Sequence, residues 1–137
     1  MSTPVGVWID HRRAFLVLLN QTINSKTIHS KALRPRGSAA GIRTGSPFGH
    51  EDILPEDRIS RRYRKHLDEY YQKVMDAIGD TDEIYLIGPG EAKTELKTHL
   101  LKNSRKQQPN VIVENADKMT DAQIIAKVRD RYQHRLQ

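Results

Sequence analysis

From Glu83 onward, short runs of β-branched and aromatic residues alternate with segments of helical period, and this alternation restricts the fold more than any other feature of the sequence. Glu83-Ile84-Tyr85-Leu86-Ile87 is apolar at consecutive positions, so a strand here needs cover on both faces. Gly88-Pro89-Gly90 closes it. Ala92, Leu96 and Leu100 then recur every four residues and mark the inner face of a helix running from about Glu91 to Asn103. Pro109 precedes a second run, Val111-Ile112-Val113. Thr120 with Gln123 has the spacing of a capping box, and Ile124, Val128, Tyr132 and Leu136 would face inward on a terminal helix. Strands joined through helices pair in parallel by right-handed crossovers, which places the chain in the α/β class.

The first half has a different rhythm. Val5-Gly6-Val7-Trp8-Ile9 reads as a buried strand, Asp10-His11-Arg12-Arg13 as a polar turn, and Ala14 to Leu19 as the returning strand of a hairpin. Thr22 to Lys31 alternates loosely and supplies a third strand, with Ile23 and Ile28 as its apolar anchors. Ile59, Tyr63, Leu67, Tyr70, Val74 and Ile78 define the apolar face of a long helix that begins near Pro55 and stops at Gly79. The predicted order is β-β-β-α-β-α-β-α. It implies a mixed five-stranded sheet with helices on its faces, in one domain spanning residues 1–137. That order is the one found in ribonuclease H-like folds.

Composition excludes several classes. Cysteine is absent, so there is no disulfide framework, thiolate metal site or thiol nucleophile. No apolar run approaches the roughly 20 residues of a membrane span, and the first residues lack the basic start of a signal peptide, so a cytoplasmic protein without a membrane partner is expected. The net charge of +6 is unevenly placed. Between His11 and His50 there is no Asp or Glu, but Arg12, Arg13, Lys26, Lys31, Arg34, Arg36 and Arg43 all occur, outnumbering the net charge of the whole chain. Such segregation suits a polyanion contact. Within this stretch, residues 34–55 form a long irregular loop with Gly37, Gly41, Gly45 and Gly49 interspersed with prolines, and loops of that length usually carry function. Arg58, Arg61, Arg62, Arg64 and Lys65 crowd the first half of the helix that follows it.

The residues argue against most catalytic constellations. A two-metal nuclease of ribonuclease H type needs several carboxylates at strand ends. Asp10 sits after the first strand, but the strand ending at Ile87 runs into Gly88-Pro89-Gly90 with no carboxylate, and Glu114 alone does not complete a site. Asp10 is more simply a turn residue. His11, His29, His50, His66, His99 and His134 include no pair at the spacing of a helical zinc site, and there is no nucleophile elbow. No catalytic residue, metal or cofactor is therefore expected. The turn at Gly88, Gly90 and Lys93 is open to two readings, an anion held at a helix start or, the simpler one, a tight strand-to-helix connection.

Ile84-Tyr85-Leu86-Ile87-Gly88-Pro89-Gly90-Glu91-Ala92-Lys93-Thr94-Glu95-Leu96 resembles the strand-turn-helix of the middle domain of archaeal and eukaryotic class 1 release factors and Pelota. The opening Val7-Trp8-Ile9-Asp10-His11-Arg12-Arg13-Ala14 is similar to the start of small bacterial proteins of that superfamily. In the release factors the loop before the long helix carries a Gly-Gly-Gln tip that positions water for peptide release. The matching loop here has no Gly-Gly pair and no glutamine. The resemblance thus implies a ribosome-associated factor without release activity, of the kind that acts in hibernation or rescue. Its partners would be ribosomal RNA and tRNA. Arg34, Arg36 and Arg43 would supply charge, Gly37, Gly41 and Gly45 close backbone approach, and Arg58, Arg61, Arg62 and Lys65 a grip on neighbouring phosphates. The alternative is a hydrolase of peptidyl-tRNA or RNA using a non-standard loop residue.

Overall fold

The computed structural model describes residues 3–20, 22–31, 55–103 and 109–132, with the backbone alone for 55–57. Five strands, β1 (Val5–Ile9), β2 (Arg13–Leu19), β3 (Ile23–His29), β4 (Glu83–Gly88) and β5 (Asn110–Asn115), make one sheet in the order β3-β2-β1-β4-β5. β2 pairs antiparallel with β1 and β3, while β4 pairs parallel with β1 and β5. The described residues also form three helices, α1 (Pro55–Ile78), α2 (Ala92–Asn103) and α3 (Asp121–Arg131). The mixed five-stranded α/β architecture and the element order read from the sequence are both present. No helix among the described residues is long and apolar enough to cross a membrane.

Strand periodicity sorts the core into two layers. Val5, Val7 and Ile9 of β1 share one face with Ala14, Leu16, Ile84 and Leu86. That face is covered by Leu67, Tyr70, Tyr71, Val74 and Ile78 of α1 and by Ala92, Leu96 and Leu100 of α2. Trp8, Phe15, Val17, Tyr85 and Ile87 face the other way and pack under Ile124, Val128 and Tyr132. β1 is buried along its whole length because it lies central in the sheet and is covered on both sides. Each large side chain fully buried in this way contributes about 1.5–3 kcal/mol. The capping box at Thr120 and Gln123 starts α3 as its spacing predicts.

Two neighbouring antiparallel pairings make β3 run in the direction of β1, so β1, β3, β4 and β5 all point the same way. The helices return in the opposite sense. Tyr63 of α1 lies beside His11 after β1, whereas Thr81, just past α1, donates to the carbonyl of Thr3 before β1. The carboxyl ends of the strands and the amino ends of the helices therefore meet at one end of the molecule, where the positive ends of the helix dipoles also lie.

Two expected core positions fall outside the core. Ile59 is 42% exposed and Ile23 is 41% exposed. Ile59 has the right helical phase, but α1 is longer than the sheet it covers. From Arg58 on its first buried residue is Leu67, and Tyr63 already sits level with the β1–β2 turn. At a helical rise of about 1.5 Å per residue, the part before Tyr63 projects roughly 12 Å past the strand ends. Ile23 lies on the edge strand, whose burial pattern is exposed almost throughout, whereas Ile28 packs against the core. Leu136 lies outside the described residues.

Candidate nucleic-acid interface

The β1–β2 turn is built by Asp10. Its Oδ1 accepts from the backbone N–H groups of Arg12 at 2.8 Å and Arg13 at 2.9 Å, and its own N–H donates to the carbonyl of Arg13. Asp10 is thus the turn residue expected from its position. No group of three or more His, Cys, Asp or Glu among the described residues is arranged to hold a metal ion.

The turn is fastened to both helices on its side of the sheet. The Tyr70 hydroxyl donates to the Asp10 carbonyl at 2.9 Å. His11 Nε2 lies 3.0 Å from Glu95 Oε1, and the Tyr71 hydroxyl donates to that same carboxylate oxygen at 2.5 Å. Burial holds both phenols well above the ordinary tyrosine range. The hydrogen bond to Glu95 and its charge add to the effect at Tyr71, and the charge of Asp10 adds at Tyr70. On the opposite side, the Arg13 guanidinium lies 5.0 Å above the Trp8 ring and 3.4 Å from Asp121 at the start of α3. Arg13 is therefore engaged in packing, while Arg12 remains exposed at the tip.

The overhang of α1 presents charge. At 100° per residue, Arg58, Arg61, Arg62 and Lys65 fall within an arc of roughly 100° opposite the face that carries Leu67, Val74 and Ile78. All four are exposed, as is Arg64 beside them. None of these cations forms a salt bridge with another described residue. After Glu56 and Asp57 the next acids on this helix are Asp68 and Glu69, so the stretch from Arg58 to Leu67 carries cations and no carboxylate over more than two turns. The described chain breaks off after Lys31, next to Arg12 through the Ser30 N–H to Arg12 carbonyl bond, and resumes at Pro55 at the start of the overhang. Arg34, Arg36, Gly37, Gly41, Arg43 and Gly45 lie outside the described residues, but both flanks of their segment join this end.

The turn after β4 belongs to the same end. Gly88 has φ 150°, and a Cβ there would lie 2.2 Å from the carbonyl oxygen of Ile9. Only glycine lets β4 end this close to β1. Lys93 is buried, and its ammonium donates to the Gly90 carbonyl, so the lysine holds the turn from within. Gly88, Gly90 and Lys93 are thus brought together as one unit.

The contacts among His11, Tyr71 and Glu95 had no signal in the sequence. His11 and Glu95 lie 84 residues apart, and no local periodicity joins them. Arg12 and Arg64 were visible as charges, but only the strand and helix ends show that they face outward with the rest.

The sequence matches no protein-family model, and no curated protein matches it significantly. Solved structures do match. The Pelota protein of Thermoplasma acidophilum superposes with a TM-score of 0.52 at 16% identity, over 94% of this chain and 32% of that one. Pelota of Archaeoglobus fulgidus gives 0.48 at 13% identity, over 98% of this chain and 36% of that one. The archaeal translation termination factor aRF1 gives 0.40 at 14% identity, over 98% and 40%. The chain spans between about a third and two fifths of the length of these proteins, the size of one domain within them. At such identity the likeness is one of fold, and the chain has the architecture of a Pelota domain, in agreement with what the strand-turn-helix at Ile84–Leu96 implied.

Proposed function

We propose that this chain is a cytoplasmic, ribosome-associated translation factor that docks on ribosomal RNA through its basic end. The observation that carries the proposal is the first half of α1, the overhang together with the turn that follows it. There Arg58, Arg61, Arg62 and Lys65 stand exposed on one face, without carboxylate partners among the described residues, at the end where segment 32–54 joins the fold. Among the described residues the turns of α1 before Tyr63 bury nothing in the core, which leaves them available for contact outside it. Arginine suits RNA because its planar fork pairs two phosphate oxygens and stacks on bases. Arg34, Arg36 and Arg43 add charge from the loop, and Gly37, Gly41 and Gly45 allow its backbone to approach phosphates. The fold shared with the Pelota domain, together with the release-factor-like strand-turn-helix at residues 84–96, supports a role in translation. With no Gly-Gly-Gln in the loop, the protein occupies ribosomes, in hibernation or rescue, without releasing peptide. tRNA is a second polyanion that the same surface suits.

Binding carried by phosphate contacts weakens with salt in proportion to the number of phosphates engaged. A variant with Arg58, Arg61, Arg62 and Lys65 all changed to Ala should bind a ribosomal RNA fragment more weakly at low salt. Its logarithmic salt slope, read by fluorescence anisotropy, should be shallower by roughly 3, at about 0.7 for each phosphate no longer neutralised. All four side chains lie outside the core, so the thermal midpoint of the variant should stay near that of the parent. An unchanged slope would show that the overhang does not touch RNA.

A further inference from the structure

We propose that the corner between Tyr63 and His11 is a stacking site for an unpaired RNA base, so that the basic end selects single-stranded over duplex RNA. This deepens the RNA-binding reading above and rests on it. The two rings lie at the root of the α1 overhang, 6.5 Å apart between centroids and inclined at 68°. Both side chains are half-buried, so each is anchored yet still reaches solvent. Tyr63 packs against the margin of the core, which anchors its ring, while the fully buried part of α1 begins at Leu67. The corner is pre-set. Glu95 fixes the edge of the His11 imidazole through Nε2, Tyr71 fixes Glu95, and Asp10 fixes the turn that carries His11. A flat heterocycle laid on one ring brings its edge to the other. Apolar Ile59 stands one helical turn above Tyr63, and Arg12 and Arg62, the chain neighbours of His11 and Tyr63, are exposed at the same end, where flanking phosphates would lie.

An aromatic corner with arginines beside it is poorly matched to a duplex, whose bases are stacked inside and whose A-form major groove is too deep and narrow for side chains. It matches an unpaired base, because every base has a π-face and single-strand binders combine such platforms with basic tracks along the backbone.

The test compares an oligoadenylate with an abasic strand of equal length and charge, by fluorescence anisotropy with the full chain. The parent should bind oligoadenylate roughly tenfold more tightly than the abasic strand, the worth of about one stacked base. Tyr63→Leu keeps the apolar packing and lacks the π-face, so it should erase that difference while leaving abasic affinity unchanged. Tyr63→Phe should restore it. Equal parental affinity for the two strands, or a Tyr63→Leu variant that still prefers oligoadenylate, would overturn the stacking site and leave phosphate-mediated binding standing. Failure of the parent to bind either strand at low salt would overturn the RNA reading together with this one.

Discussion

Gly6 has no side chain because α3 occupies the space one would need. A Cβ at residue 6 would lie 2.3 Å from Cγ2 of Val128 and 2.5 Å from Cγ1, both in a fully buried side chain. The sequence shows a glycine in an otherwise β-branched strand, where it costs strand propensity, and gives no hint of what lies above it. Gly6→Ala should destabilise the protein by about 1–3 kcal/mol, the range for overpacking a filled core. Val128→Ala should destabilise the parent by leaving a cavity, yet restore part of the stability of the Gly6→Ala background, because the two changes compensate in space. Urea unfolding of the four members of that cycle checks it. Strict additivity would mean that α3 does not rest on Gly6.

At the scale of elements, α1 does two jobs in two halves. From Leu67 on it covers the sheet, and before Tyr63 it leaves the sheet behind. Its buried half is tied in by Tyr70 and Tyr71, whose hydroxyls reach Asp10 and Glu95. Burial raises both phenols above the ordinary value of 10.0, so the folded protein keeps protons that the unfolded chain releases. The stability tied to these groups is fully present below about pH 10 and declines as pH rises through that value toward the folded pKa. Tyr71→Phe should therefore show a shallower decline in urea stability above about pH 10 than the parent does. Parallel declines would show that the Tyr71 hydroxyl is not buried against Glu95. The halves of α1 were not separable in the sequence. Ile59 and Tyr63 continue the period of Leu67 and Val74 without a break, and where the apolar stripe stops being core depends on the length of β1, β2 and β4, which the helix cannot report.

For the molecule as a whole, the topology was legible and the joining of distant parts was not. Strand and helix periods, the Gly88-Pro89-Gly90 stop and the Thr120 cap sufficed for the order of elements, the antiparallel start and the parallel remainder. They sufficed because each is a local signal, written within a few residues. The basic cluster of α1 was legible as charge, but its exposure beyond the sheet and its alignment with the β1–β2 turn needed three dimensions. So did the contact of His11 with Glu95, which fixes that turn to α2 and depends on β1 and β4 being neighbours. The resulting molecule is polar in the geometric sense. The carboxyl ends of β1, β3, β4 and β5, the helix starts, the exposed cations of the first half of α1 and both flanks of segment 32–54 lie at one end.

Whether that end meets the ribosome is decided by migration with ribosomes on sucrose gradients at low salt. The parent would be run beside the α1 variant lacking Arg58, Arg61, Arg62 and Lys65 and beside an Arg34→Ala, Arg36→Ala, Arg43→Ala variant. The parent should travel with ribosomal particles, and both variants should shift toward the top of the gradient. A parent that stays at the top at low salt would contradict docking on the ribosome.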